Sequence, residues 1–104
     1  MINDQFLSTL GLARRAGKIT RGFESTVENI YSIKCLFFAC DCSPRTIQNA
    51  SGIFEEAGIT PIMLKYSKNE LGYAIGAKPV GIIGITDDGF AKLLKTKLSK
   101  EVTE

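Results

Sequence analysis

Cys35-Leu36-Phe37-Phe38-Ala39-Cys40-Asp41-Cys42-Ser43-Pro44 is the stretch on which the fold turns. The apolar run from Cys35 to Cys40 is short and rich in aromatics, which predicts a strand covered on both faces. Asp41 to Pro44 then punctuates. Ser43 offers the hydroxyl of an N-cap, and Pro44 brings the fixed φ of a first helical position, so a helix begins there. Ile47, Ala50, Ile53, Phe54 and Ala57 recur at helical spacing as its core stripe. Gly58 closes the helix, and Pro61 lies where it cannot continue.

Upstream, Phe6, Leu7, Leu10 and Ala13 mark a first helix from about Asp4 to Ala16, with Gly17 as its C-terminal cap. Lys18 to Thr20 reads as a short strand or an extended link. Gly22 opens a second helix, whose buried stripe is Phe23, Val27, Ile30 and Tyr31. Glu24 and Glu28 fall in its first turns, where the helix dipole favours acids. Downstream, Ile62 to Leu64 reads as a brief buried strand. Ser67-Lys68-Asn69-Glu70 has capping-box spacing and starts a short helix ending near Gly76. Val80 to Ile85 is a further strand, and Gly81 and Gly84 within it point to close approach of a neighbour. Thr86 or Asp87 caps a last helix carrying Phe90, Leu93, Leu94 and Leu98, with fraying expected beyond about Lys97. Strands alternating with helices predict an α/β protein, a three-layer α/β/α sandwich. There is no linker, repeat or low-complexity tract, so residues 1–104 read as one domain.

Apolar residues at 44% and charged residues at 23% fit an ordinary globular domain with a single core. No apolar run approaches a membrane span. Met1 to Gln5 lacks the basic region of a signal peptide, so the expected location is cytoplasmic. Three cysteines, an odd number, argue against a disulfide framework and for small, partly buried thiols. Cys40 and Cys42 share a side if the strand reaches that far, and Cys35 takes the other. The absence of histidine removes the commonest general base and excludes a serine triad at Ser43. The cysteine spacing offers no zinc set. No phosphate-cradling glycine loop of the Walker type occurs. Asp41 ends a central strand, a usual place for α/β sites but weak evidence alone. Asp87 and Asp88, between a strand and an apolar helix, read as capping residues. Neither a catalytic residue nor a metal or cofactor site emerges, and the chain reads as a non-enzyme.

The net charge is only +2, from 13 basic and 11 acidic residues. Leu10 to Gly22 nevertheless holds Arg14, Arg15, Lys18 and Arg21 with no acid, leaving nine basic residues against eleven acidic elsewhere. Local positive charge beside a helix-opening glycine is a plausible phosphate footprint. It is also what a solvated helix face looks like, and charge alone favours that ordinary reading.

Several short motifs, in order, carry a resemblance. They are Leu10-Gly11-Leu12-Ala13-x-Arg15-Ala16-Gly17-Lys18, then Gly22, then the apolar strand leading to Asp41-x-Ser43-Pro44-x-Thr46. Ser67-Lys68-x-Glu70-Leu71-Gly72-x-Ala74-Ile75-Gly76 and Ile85-Thr86-Asp87-x-Gly89-Phe90-Ala91 complete the series. The chain resembles, over nearly its whole length, the kink-turn RNA-binding superfamily of the ribosomal proteins L-seven-Ae, L-thirty-e and S-twelve-e. Within that superfamily it is most similar to the small bacterial YlxQ branch. The resemblance implies a sandwich around a mixed four-stranded sheet. It also implies a cytoplasmic RNA-binding protein whose partner is structured RNA, ribosomal RNA included, with ribosomal or translation-factor contacts and no membrane.

Two site segments follow from the resemblance. The start of the second helix meets sheared guanine–adenine pairs through Gly22, Glu24 and Ser25, with Lys18 and Arg21 on phosphates. An apolar loop, Leu71, Ala74, Ile75 and Gly76, covers a flipped-out nucleotide, with Ile75 partly exposed. Arg14 and Arg15 are peripheral. Such recognition suits RNA, whose distorted and unstacked elements are easier to read than its regular duplex. The family's archaeal members carry Gly-Thr-Asn-Glu at the second-helix start and a lysine three residues on. Here Gly22 matches, while Phe23, Glu24, Ser25 and Glu28 depart. A carboxylate at Glu24 can still accept from a guanine donor edge. One at Glu28 repels phosphate. The alternative reading is a protein-interaction module of the same fold. A substrate-recognising part of an RNA-modifying enzyme is a third, which no base, metal set or cofactor loop supports.

Overall fold

The computed structural model describes the backbone of residues 4–102 and side chains through residue 98. Met1 to Asn3, on which the signal-peptide reading rests, lie outside the described residues. Helix α1 (Gln5–Arg15) leads into strand β1 (Ile19–Arg21) and helix α2 (Phe23–Glu28), which a 3-10 turn at Ile30–Ser32 extends. Strand β2 (Cys35–Phe38), helix α3 (Pro44–Glu56) and strand β3 (Pro61–Met63) follow. Helix α4 (Lys68–Ala74), strand β4 (Ile82–Ile85) and helix α5 (Asp88–Val102) complete the chain.

The sheet is mixed and four-stranded, in the order β1-β4-β2-β3. β4 is antiparallel to both β1 and β2, and β2 is parallel to β3. Every residue of β2 and of β4 is buried, as a strand covered on both faces requires. Register sets the two faces. Phe37 points toward α1, where Phe6 meets its ring edge-on at 5.3 Å. α1 in turn lies against α4 and α5, which form that layer with it. Thr20, Gly84 and Leu36 lie side by side on the other face. There Thr26 of α2 shares a 2.8 Å hydrogen bond with Thr20 and donates to the Gly22 carbonyl at 2.7 Å. α3 adjoins α2 in this second layer. A Cβ on Gly84 would lie 2.6 Å from both Thr20 Oγ1 and Ile33 Cδ1, so this glycine admits the covering layer.

The helix starts are set by local chemistry. Asp4 caps α1 by accepting from the Leu7 N–H at 3.0 Å, and Ser43 accepts from the Thr46 N–H at 3.1 Å. Ser67 and Glu70 form a complete capping box. Asp87 accepts from the Phe90 N–H at 2.9 Å, so of the two expected candidates it is Asp87 that caps α5.

Five expectations need correction. Tyr31 is 95% exposed instead of buried, because the shift from α to 3-10 winding after Glu28 changes the period that put it on the apolar stripe. Ile53 and Ala57 are exposed, and α3 buries only Ala50 and Phe54 fully. β3 is an edge strand with Met63 outward and Ile62 half-buried, and the buried residue there is Leu64, just past its end. β2 stops at Phe38, so the alternation that paired Cys40 with Cys42 does not persist: Cys40 is exposed while Cys42 is buried. α5 runs on to Val102, past the expected fraying at Lys97, with Leu98 packed against the core.

Candidate nucleic-acid interface

Of the four side-chain-capped helices, none begins as α2 does. Gly22, its N-cap, has φ 86° and ψ 163° and gives no side-chain cap. An L residue would be strained at that φ. Its own N–H donates to the Ile82 carbonyl at 2.9 Å, fixing the turn against the end of β4. Arg21 is exposed just before it, Glu24 is exposed and Ser25 half-buried just after it.

Residues 76 to 81 form a strap beside this turn. The Ala77 N–H donates to the Gly72 carbonyl at 2.8 Å, and the Val80 N–H to the Lys68 carbonyl at 3.2 Å. The Ala39 N–H donates to the Gly81 carbonyl at 2.9 Å. A side chain at Gly72 would collide with the Lys78 carbonyl, so only glycine there lets the strap lie on α4. Asp41 secures the other end of α4, accepting from the Lys68 N–H at 2.8 Å. Its place at the end of β2 is thus explained by helix anchoring. Cys42 lies beneath Gly81, and burial pushes its thiol pKa up against the lowering effect of Lys68.

Between turn and strap runs a groove of about 510 Å³, lined by Arg21, Gly22 and the residues Ala77, Lys78, Pro79 and Val80. The expected second-helix start thus adjoins residues 77–80, which follow the expected apolar loop, while Leu71, Ala74, Ile75 and Gly76 do not line the groove. Arg21 and Lys78 are exposed, and among the described residues no acid lines the groove. Such a trough with a cation on each wall fits the phosphate backbone of a nucleic acid.

The placement differs from expectation at three points. Leu71 is fully buried and Ile75 is 3% exposed. Both belong to the core on the inner side of α4, so neither presents a surface to a nucleotide. The outward residues of this segment are Tyr73, Gly76 and the half-buried Ala74. Lys18 does not line the groove. It is exposed at the opposite end of β1, where its carbonyl accepts from the Thr86 N–H at 2.9 Å. At about 3.4 Å per residue, that is roughly 10 Å from Arg21. Lys78 is the groove residue that the sequence reading missed. Its signal was a lysine directly after the Gly76-Ala77 turn, beyond the motif that ends at Gly76.

The model of the ribosomal protein L7Ae/L30e/S12e/Gadd45 family matches residues 4–95. The chain belongs to this family. An RNA-binding protein YlxQ from Enterococcus faecium is 38% identical over 96 residues, covering 88% of this chain and 86% of that protein. The fold is similar to that of a Bacillus halodurans protein of unknown function, with a TM-score of 0.83 and 25% identity. That match covers 93% of this chain and 99% of the other. The 15.5 kD RNA-binding protein of Giardia lamblia superposes with a TM-score of 0.72 at 18% identity, covering 96% and 90% of the two chains, which shows a shared fold. Family membership makes the chain a non-enzymatic protein. Among the described residues no helix is long and apolar enough to cross a membrane.

Proposed function

We propose that this protein binds structured RNA in the groove between the Gly22 turn and the 76–81 strap, as a ribosome-associated protein of the cytoplasm. The observation that carries the reading is the trough itself, with Arg21 and Lys78 exposed on its walls and no acid lining it. The RNA-binding relative at 38% identity supports it. Arg21 and Lys78 hold phosphates across the groove. The Gly22 backbone, having no Cβ, lets the RNA come close. Glu24, two residues on, accepts from the imino and amino groups of a guanine in a kinked, kink-turn-like element, and Ser25 contributes its hydroxyl. Gly76 begins the strap, and Ala74 ends α4 just before it. Lys18 contacts phosphate only where RNA continues along the β1 edge. Leu71 and Ile75 serve by holding α4, and with it the strap, in place.

The test compares a hairpin containing tandem sheared guanine–adenine pairs with the same hairpin made fully Watson–Crick. The wild type should prefer the first, and Glu24→Ala should narrow the preference by about 1–3 kcal/mol, the usual worth of a base-reading contact. Equal binding of both hairpins by the wild type would refute kink-turn recognition. Failure to bind either would leave the fold to protein contacts.

A further inference from the structure

On the other side of the same α4 terminus lies a second groove, of about 610 Å³, between α1 and α4. Gly11 makes it possible: a Cβ there would sit 2.8 Å from the Ala74 carbonyl oxygen, so the helices close at its floor. Its rim carries Leu12, 51% exposed, and Tyr73, 70% exposed. Arg15 supplies the charge, and no acid is among the lining residues. Glu70, one turn before Tyr73, is held in the capping box by the Ser67 N–H at 2.8 Å. Nothing in the reading of the first groove uses Tyr73, Leu12 or Arg15. Ala74 lines this groove and Ala77, three residues on, lines the other.

We infer that the α1–α4 groove takes an unpaired nucleotide of single-stranded RNA flanking the structured element, with its base on Tyr73 and Leu12 and its phosphate on Arg15. The inference rests on the proposed RNA reading of the first groove. Three observations select this occupant. Ala74 of this groove and Ala77 of the first are three residues apart, at most about 11 Å, a distance one RNA strand can span. Among this groove's described lining residues the only charge is that of Arg15. Its exposed aromatic ring sits beside an apolar side chain, the arrangement on which bases stack without sequence preference. A protein partner would bury such a patch against apolar or acidic residues, and it gains nothing from the nearness of the first groove.

The experiment uses the full chain and the kinked hairpin with or without an eight-uridine tail, placed at the 5′ end of one RNA and at the 3′ end of another. For the wild type, a tail at one of the two ends should raise affinity about tenfold. Tyr73→Ala should abolish that gain while leaving the untailed hairpin unaffected, and Tyr73→Phe should retain it. Tyr73 is largely exposed, so the alanine variant should melt with the wild type. Arg21→Ala should weaken tailed and untailed RNA alike. A tail that adds nothing at either end, or a Tyr73→Ala chain that keeps the full gain, overturns the inference. If the tail gain depends on Tyr73 but Arg21→Ala changes neither affinity, the second groove stands and the reading of the first one falls.

Discussion

Ile75→Ala should cost the free protein much of its stability while sparing the RNA surface. The side chain is 3% exposed at the C-terminal cap of α4, where its N–H donates to the Leu71 carbonyl at 3.2 Å. Truncation to Cβ loses the transfer free energy of the deleted carbons and leaves a cavity in the core cluster. Such changes cost about 2–5 kcal/mol. The site is at a helix end, where partial collapse is easier than mid-core, so about 3 kcal/mol is expected. For a domain of this size each kcal/mol moves the midpoint by about 4–8 °C, which gives a fall of roughly 12–24 °C. Circular dichroism melts would measure it. Urea titration should show a lower midpoint at unchanged m, because the same surface is exposed on unfolding. RNA affinity measured well below the new midpoint should match the wild type. A melting point within about 5 °C of wild type, together with weakened binding at all salt concentrations, would refute the reasoning. Ile75 would then lie open to RNA in solution, as the family resemblance implied.

Arg21→Ala and Lys78→Ala should each weaken RNA binding and flatten the plot of log affinity against log salt by about 0.7–0.9, one phosphate contact apiece. Lys18→Ala should flatten it less for a short hairpin, and an effect equal to that of Arg21→Ala would contradict its placement at the far end of β1. Gly84→Ala should destabilise by about 1–3 kcal/mol, because the new methyl meets Thr20 Oγ1 and Ile33 Cδ1 at 2.6 Å; chemical denaturation would show it, and an unchanged midpoint would mean that α2 is not seated as described. At pH 8 a thiol reagent should label Cys40 quickly and Cys35 and Cys42 only on unfolding, since burial disfavours their thiolates. Burial pushes the Cys35 pKa up from 9.0 to about 11, so the folded state holds its proton more tightly than the unfolded one. Stability from this group is intact below pH 9 and falls as pH rises toward 11, and Cys35→Ala should make the urea midpoint less steeply dependent on pH in that window.

The sequence alone determined the features that depend on a few neighbouring residues. Ser43 with Pro44, Ser67 with Glu70, and Asp87 all cap helices where expected, because a cap is a hydrogen bond to an N–H two or three residues away. The apolar run at Cys35 became a strand buried throughout, since no other local pattern accommodates so short a continuous run beside a helix-starting Ser-Pro. Gly22 was readable directly as the opening of the second helix, and the resemblance marked it as part of the site. Tertiary structure decided which side of each element faced a neighbour. Tyr31, Ile53 and Met63 carry apolar side chains at periodic positions, yet each lies on the exposed side of its element. Leu71 and Ile75 looked like a surface loop in a motif and proved to be core, because α4 turns that side toward the rest of the fold. Lys18 and Arg21 are close in sequence but sit at opposite ends of a strand, whereas Lys78, far away in sequence, faces Arg21 across the groove. A hydrogen bond to the next turn is written in adjacent residues. The distance between two walls of a groove depends on strand order and helix seating, which are set by the packing of the whole chain.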